Sequence, residues 1–169
     1  VIEASLSIRI PDLWVTPVSE KYDAELSCEV GGSSGTGGWG LVTIRGDDEI
    51  LEEIVEEIGL HPSVGNVTVR NREGGSISVV VDVVQCKACE VLTRSKSFMV
   101  FPVDIRDGRM TWVIITDTNE TLRRIRYDLE ELECDVELER VVSLRGSEVM
   151  TGRQEEVIRK AFASGYFDY

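Results

Sequence analysis

The chain has 169 residues, 42% of them hydrophobic and 29% charged, with 31 acidic against 18 basic side chains and a formal charge of −13. That length and balance describe a globular domain with a sizeable core and exclude a disordered chain. No apolar run reaches the roughly 20 residues of a bilayer span, no signal-peptide pattern opens the chain, and the negative excess disfavours contact with phosphate backbones.

Ala4–Ile10 alternates apolar with polar residues and predicts a strand, as does Tyr22–Val30, with Pro11, Asp12 and Pro17 marking the connection between them. Gly31–Gly38 contains five of the 15 glycines. It lacks the Gly-Lys-Ser/Thr ending of a phosphate loop and precedes a strand, so a mobile loop is expected. Leu41–Arg45 predicts a strand, and Asp47–Ile58 a helix with Ile50, Leu51, Ile54, Val55 and Ile58 on one stripe, stopped by Gly59. The acidic face of that helix reads as a solvated surface, without the oxygen pattern of a calcium loop.

Asn66–Arg70 and Ile77–Val83 predict a hairpin across Glu73-Gly74-Gly75. A short helix is expected from Cys86. Phe98–Ile105 and Met110–Ile115 form another hairpin with Asp107-Gly108 as its turn. Thr118–Leu132 predicts a second long helix, with Asp117 and Glu120 at capping-box spacing, and Val136–Val141 a closing strand. Trp39 to Ile58 and Trp112 to Leu129 look alike: Asn119 stands to Asp48 as Leu129 stands to Ile58, an offset of 71, and each segment runs strand, helix, strand. The likeness suggests repeated βαβ-type units, with coincidence of two amphipathic helices as the alternative. Either way an α+β fold is expected, ferredoxin-like or ACT-like, with helices on one face of a largely antiparallel sheet plus a C-terminal helix.

Four cysteines are too few for a disulfide scaffold, and a reducing cytoplasm is the expected compartment. Cys86-Lys87-Ala88-Cys89 is the sharpest local motif. Two thiols at this spacing, opening a helix, suit redox chemistry. They also supply half of a tetrahedral zinc site, for which Cys28, Cys134 and His61 are the further ligand candidates. Apolar packing is the third alternative. Trp14, Trp39 and Trp112, with Phe98, Met99 and Phe101, suit a pocket wall or, more commonly, a core. With one histidine and no nucleophile–base set, the chain is not expected to be an enzyme.

After Val141 the character changes. Ser143–Glu148 reads as a linker, and Thr151 with Gln154 forms a capping box ahead of the stripe Val157, Ile158, Ala161 and Phe162. The Thr151-Gly152-Arg153-Gln154 opening and the Gly165-Tyr166-Phe167-Asp168 ending resemble the first helix and following turn of the bacterio-opsin activator-type helix-turn-helix domain of archaeal transcriptional regulators. The resemblance covers about 20 residues. It implies a regulatory or dimerising module over residues 1–148, for which the repeated units suggest two βαβ-type subdomains, and an incomplete helix-turn-helix domain over 149–169. It further implies DNA as a partner through a C-terminal part beyond Tyr169, without identifying what the module senses. The strand edges and repeated units suit a homo-oligomer, the fold suits a small-molecule effector, and the cysteine motif suits a redox or metal event at Cys86 and Cys89. No base-reading residue lies within the chain. Side-chain charges from 150 on cancel, so the acidity belongs to the module and not to the segment nearest DNA.

Overall fold

The computed structural model describes residues 1–144. The linker beyond Leu144 and the helix expected from Thr151 lie outside the described residues. Eight strands and four helices follow in the order β1 (Ile2–Arg9), α1 (Val15–Lys21), β2 (Glu25–Ser34), β3 (Gly37–Arg45), α2 (Asp48–Leu60), β4 (Val64–Glu73), β5 (Ser76–Val83), α3 (Lys87–Arg94), β6 (Phe98–Arg106), β7 (Arg109–Thr116), α4 (Asn119–Glu131) and β8 (Asp135–Ser143). The strands form one sheet in the order β4-β5-β3-β2-β6-β7-β1-β8, every neighbouring pair antiparallel. The fold is α+β, as the sequence predicts.

The strand order has an approximate two-fold character about the β2–β6 pair. In β3-α2-β4 the returning strand lies one place away, with β5 between; in β7-α4-β8 the intervening strand is β1. These are the two segments whose sequences look alike. Strand β1 therefore occupies in one half the place that β5 holds in the other, although it comes first in the chain.

Alternation turns one sheet face inward. A single row of facing positions, Ile77, Ile44, Leu26, Ile105, Met110, Ile8 and Val136, crosses seven strands. Most of these residues are buried. Helix α2 covers its side of the sheet with Leu51, Ile54 and Ile58, and α4 covers the other with Leu122, Ile125 and Leu129. The stripes were visible at helical spacing, and each such side chain stabilises by about 1.5–3 kcal/mol when removed from water.

Four local expectations are corrected. The first connection contains a helix, α1: Pro17 sits in its first turn, where no intrahelical amide is needed. The glycine stretch is not a mobile loop but the paired ends of β2 and β3, with only Gly35 and Thr36 between them. Helix α2 runs through Gly59 to Leu60 and ends at His61. Thr118, not Asp117, caps α4, its hydroxyl accepting the Thr121 amide at 3.1 Å.

Candidate functional site

Two departures from regular pairing shape the centre of the sheet. Among the described residues, β2 and β6 pair only from Leu26 to Cys28 against Ile105 to Val103. Just beyond that seam, the β2–β3 register shifts between Cys28 and Val30 and the β6–β7 register between Val100 and Asp104. Such shifts bend strands and increase their twist. The inward face past the seam is also stripped of bulk. Gly31 pairs with Gly40 and Ser33 with Gly38, in line with Val81 and Val83 of β5. Where a core would ordinarily place branched side chains, four adjoining positions carry three glycines and a serine.

A cavity of about 310 Å³ occupies this space, walled by β2, β3, β5, β6 and β7 and by residues of α3 and the start of α1. Trp14, Trp39, Trp112, Phe98, Met99 and Phe101 all line it. The alternatives of pocket and core are therefore both realised. Trp14 and Trp112 are 3% and 0% exposed and belong to the core beneath the cavity, whereas Trp39 and Phe98 are 42% and 71% exposed. Glycine lets Trp39 lie against β2: a Cβ on Gly32 would lie 2.9 Å from the indole nitrogen, and the ring would have to shift. Among the described residues, Trp112 Nε1 is buried without a hydrogen-bond partner; a buried donor left unpaired costs about 1–3 kcal/mol.

Cys86 and Cys89 lie on the same wall. Cys86 is the N-cap of α3, its sulfur accepting the Cys89 amide at 3.2 Å, and the two sulfurs are joined as a disulfide. The Cys86 amide in turn donates to the Thr36 carbonyl at the tip of the glycine hairpin, 3.2 Å away. The motif thus ties α3 to the hairpin that bounds the cavity.

The additional ligand candidates are placed apart in chemistry. Cys28 lines the cavity and donates to the Val30 carbonyl at 3.5 Å; burial pushes its thiol up to about 11. Cys134 is buried near the end of α4 and is likewise pushed to about 11 by burial, with Asp12 adding to the effect. Both thiols are protonated at neutral pH and behave as small apolar groups. His61 closes α2, where its Nδ1 faces the amide and hydroxyl of Ser63 at 3.1 and 2.8 Å. Burial lowers its pKa from 6.5. Among the described residues, no three His, Cys, Asp or Glu side chains converge as a metal-holding group. None of the described helices is long and apolar enough to cross a membrane.

The sequence named the aromatics and the cysteine pair but missed the role of the glycines. Their signal was their pairing: Gly31 opposite Gly40 and Ser33 opposite Gly38 leave room on one face. The helix-turn-helix motif residues Thr151, Arg153, Gln154, Gly165, Tyr166, Phe167 and Asp168 lie outside the described residues.

No curated protein matches the chain. A family model described as HVO_2525_N, N-terminal, matches residues 3–136, from β1 into β8, and so covers all four helices and every wall of the cavity. The chain belongs to this archaeal N-terminal domain family.

Proposed function

We propose that the chain is the signal-sensing part of an archaeal transcription regulator and that its signal is a small molecule held in the cavity at the β2–β6 seam. The observation that carries this reading is the cavity itself. Its volume of about 310 Å³ falls at the lower end of ligand sites, and its walls come from both halves of the sheet. A ligand there touches β2 and β3 on one side of the seam and β6 and β7 on the other. One that prefers a particular seam geometry biases that geometry, and through it whatever is attached to the module.

Two features support a regulatory context. The family is described as an N-terminal domain, and residues 150–169 resemble the opening of a bacterio-opsin activator-type helix-turn-helix domain. DNA is then the partner of the C-terminal part. The test is a thermal-shift screen of the chain against neutral and charged metabolites, followed by DNA-affinity titration of the natural full-length protein with each hit. A ligand at 100 times its Kd stabilises by about 2.7 kcal/mol, well within detection. Hits that leave DNA affinity unchanged would remove the regulatory reading.

A structural assembly module is the second reading, favoured by β4 and β8, which are the edge strands of the sheet among the described residues. Arg70, Arg72 and Glu73 on one edge, and Glu137, Glu139 and Arg140 on the other, weigh against edge-to-edge pairing. Light scattering across a concentration series decides it: a monomer over the whole series ends the assembly reading.

A further inference from the structure

Resting on the sensing reading, we infer that the cavity selects uncharged, flat, largely apolar molecules and rejects carboxylates and phosphates.

The lining contains no Asp, Glu, Lys, Arg or His among the described residues. A buried anion would find no counter-charge there, and burial of an unpaired charge is strongly unfavourable. The polar groups on the walls are largely committed. Ser97 donates its hydroxyl hydrogen to Thr116 at 2.9 Å and accepts from Ser95 at 3.1 Å. The Thr93 hydroxyl donates to the Cys89 carbonyl at 3.4 Å, and the Cys28 thiol to the Val30 carbonyl at 3.5 Å. What remains for a ligand is apolar and polarisable: Trp14, Phe101, Met99, Met110 and the sulfurs of Cys86 and Cys89. Aromatic walls favour planar partners, and methionines adapt to their outline.

Size follows from comparison with known apolar cavities. One of about 150 Å³ accepts benzene, so twice that volume accommodates about a dozen non-hydrogen atoms, the size of a fused bicyclic ring with a short substituent. Trp112 lines the cavity, and its buried Nε1 has no hydrogen-bond partner among the described residues, so a ligand that reaches it is matched by an acceptor and not by a donor. An uncharged aromatic carbonyl compound combines these properties. Free amino acids carry two charges, which no lining residue among those described meets.

The experiment uses an isosteric pair, 2-acetylnaphthalene and 2-naphthoate, in which a methyl group replaces a carboxylate oxygen. Affinities are measured by equilibrium dialysis against the intact chain, at physiological salt and again at 1 M salt. The ketone is expected to bind at least about tenfold more tightly at both. High salt screens the long-range repulsion from the net charge of −13 and leaves the short-range character of the lining. A carboxylate that binds as well as the ketone, or a preference that vanishes at 1 M salt, would overturn the inference.

Site assignment is checked with Ser33→Trp, at an exposed lining position on the face stripped of bulk, where the new ring takes up space otherwise open to the ligand. It should weaken the ketone by about fivefold or more at unchanged circular dichroism. Unaltered binding would place the ligand elsewhere and sink the proposal. If neither naphthalene binds while a charged hit from the metabolite screen does, the selectivity inference fails and the sensing reading stands. If no compound binds at all, both fail.

Discussion

The amide of Cys86 donates to the carbonyl of Thr36 at 3.2 Å, across a sequence distance that no local pattern spans. Thr36 is at the tip of the glycine hairpin and Cys86 begins α3, so this one hydrogen bond closes the wall of the cavity between a strand pair and a helix. The cysteine pair sets the geometry at that point. Its sulfur caps α3, and the bond to Cys89 fixes where the first turn sits.

The oxidised pair predicts a thiol count. Alkylation of the denatured, unreduced protein should modify two cysteines, Cys28 and Cys134; reduction should raise the number to four. In the native state those two should react slowly, since burial pushes both thiols up to about 11 and leaves little thiolate. A Cys86→Ser/Cys89→Ser variant keeps an oxygen at the N-cap and should lose no more than about 2 kcal/mol, the scale of a short closed loop. Mass spectrometry and chemical denaturation read both. On the proposed regulatory reading, normal control of DNA binding in a protein carrying the double change would show that the cysteine pair is not the signal.

His61 predicts the acid side of the stability curve. Ser63 Oγ accepts the Trp14 amide at 3.1 Å, so its own hydrogen turns to His61 Nδ1, which also receives the Ser63 amide. An imidazole that accepts through Nδ1 is neutral. Burial lowers its pKa from 6.5, while the nearby Asp12 acts in the opposite direction. The unfolded chain therefore takes up the proton more readily than the folded one. Stability from this group is present above about pH 6.5 and is lost as pH falls from there through the folded value. His61→Gln should remove that part of the pH dependence. Melting temperatures of the two proteins between pH 5 and 8 provide the check, and identical slopes would refute the assignment.

The N-terminus of α4 gives a paired prediction. Thr118→Ala removes the hydroxyl that accepts the Thr121 amide and should cost about 1 kcal/mol. The Asp117 carboxylate is held below its usual range chiefly by the Thr121 hydroxyl. Its replacement by alanine leaves the cap in place, so Asp117→Ala should cost less. Urea midpoints rank the two, and the reverse order would restore the capping box expected from the sequence.

What was legible in the sequence is what local chemistry dictates. The stripes of α2 and α4 follow from apolar spacing, and the β6–β7 turn from Asp107 and Gly108, both at positive φ. Helix α1 was hidden because its support is tertiary. Thr16 donates to the Ile10 carbonyl at 2.7 Å, and the Ser19 hydroxyl accepts the amide of Gly108 at 2.8 Å. Seven residues with a proline have no helical signal strong enough to override that silence. The aromatics and the cysteine motif were visible as residues, but the cavity depends on where β2 leaves β6. Pairing between strands so distant in sequence has no local signature.

The glycines of the β2–β3 hairpin sharpen the same contrast into a test. Gly37 pairs with Ser34 in the hairpin, and a Cβ on it would lie 2.1 Å from the backbone carbonyl oxygen of Val83, which cannot retreat without breaking β5 away. Gly35 stands in open space, but at a φ of +61°. Gly74, in the β4–β5 turn, has open space and no such restriction. Alanine at Gly37 should therefore destabilise most, by about 3 kcal/mol or more, since packed backbone must move. At Gly35 the cost should be about 1 kcal/mol, the penalty of a left-handed conformation. At Gly74 alanine should be neutral or slightly stabilising, because it restricts the unfolded chain. Denaturation midpoints falling in that order would establish that the glycine stretch is shaped by packing. Equal tolerance at all three would mean that the stretch is the mobile loop its composition suggests, and the cavity wall would go with it.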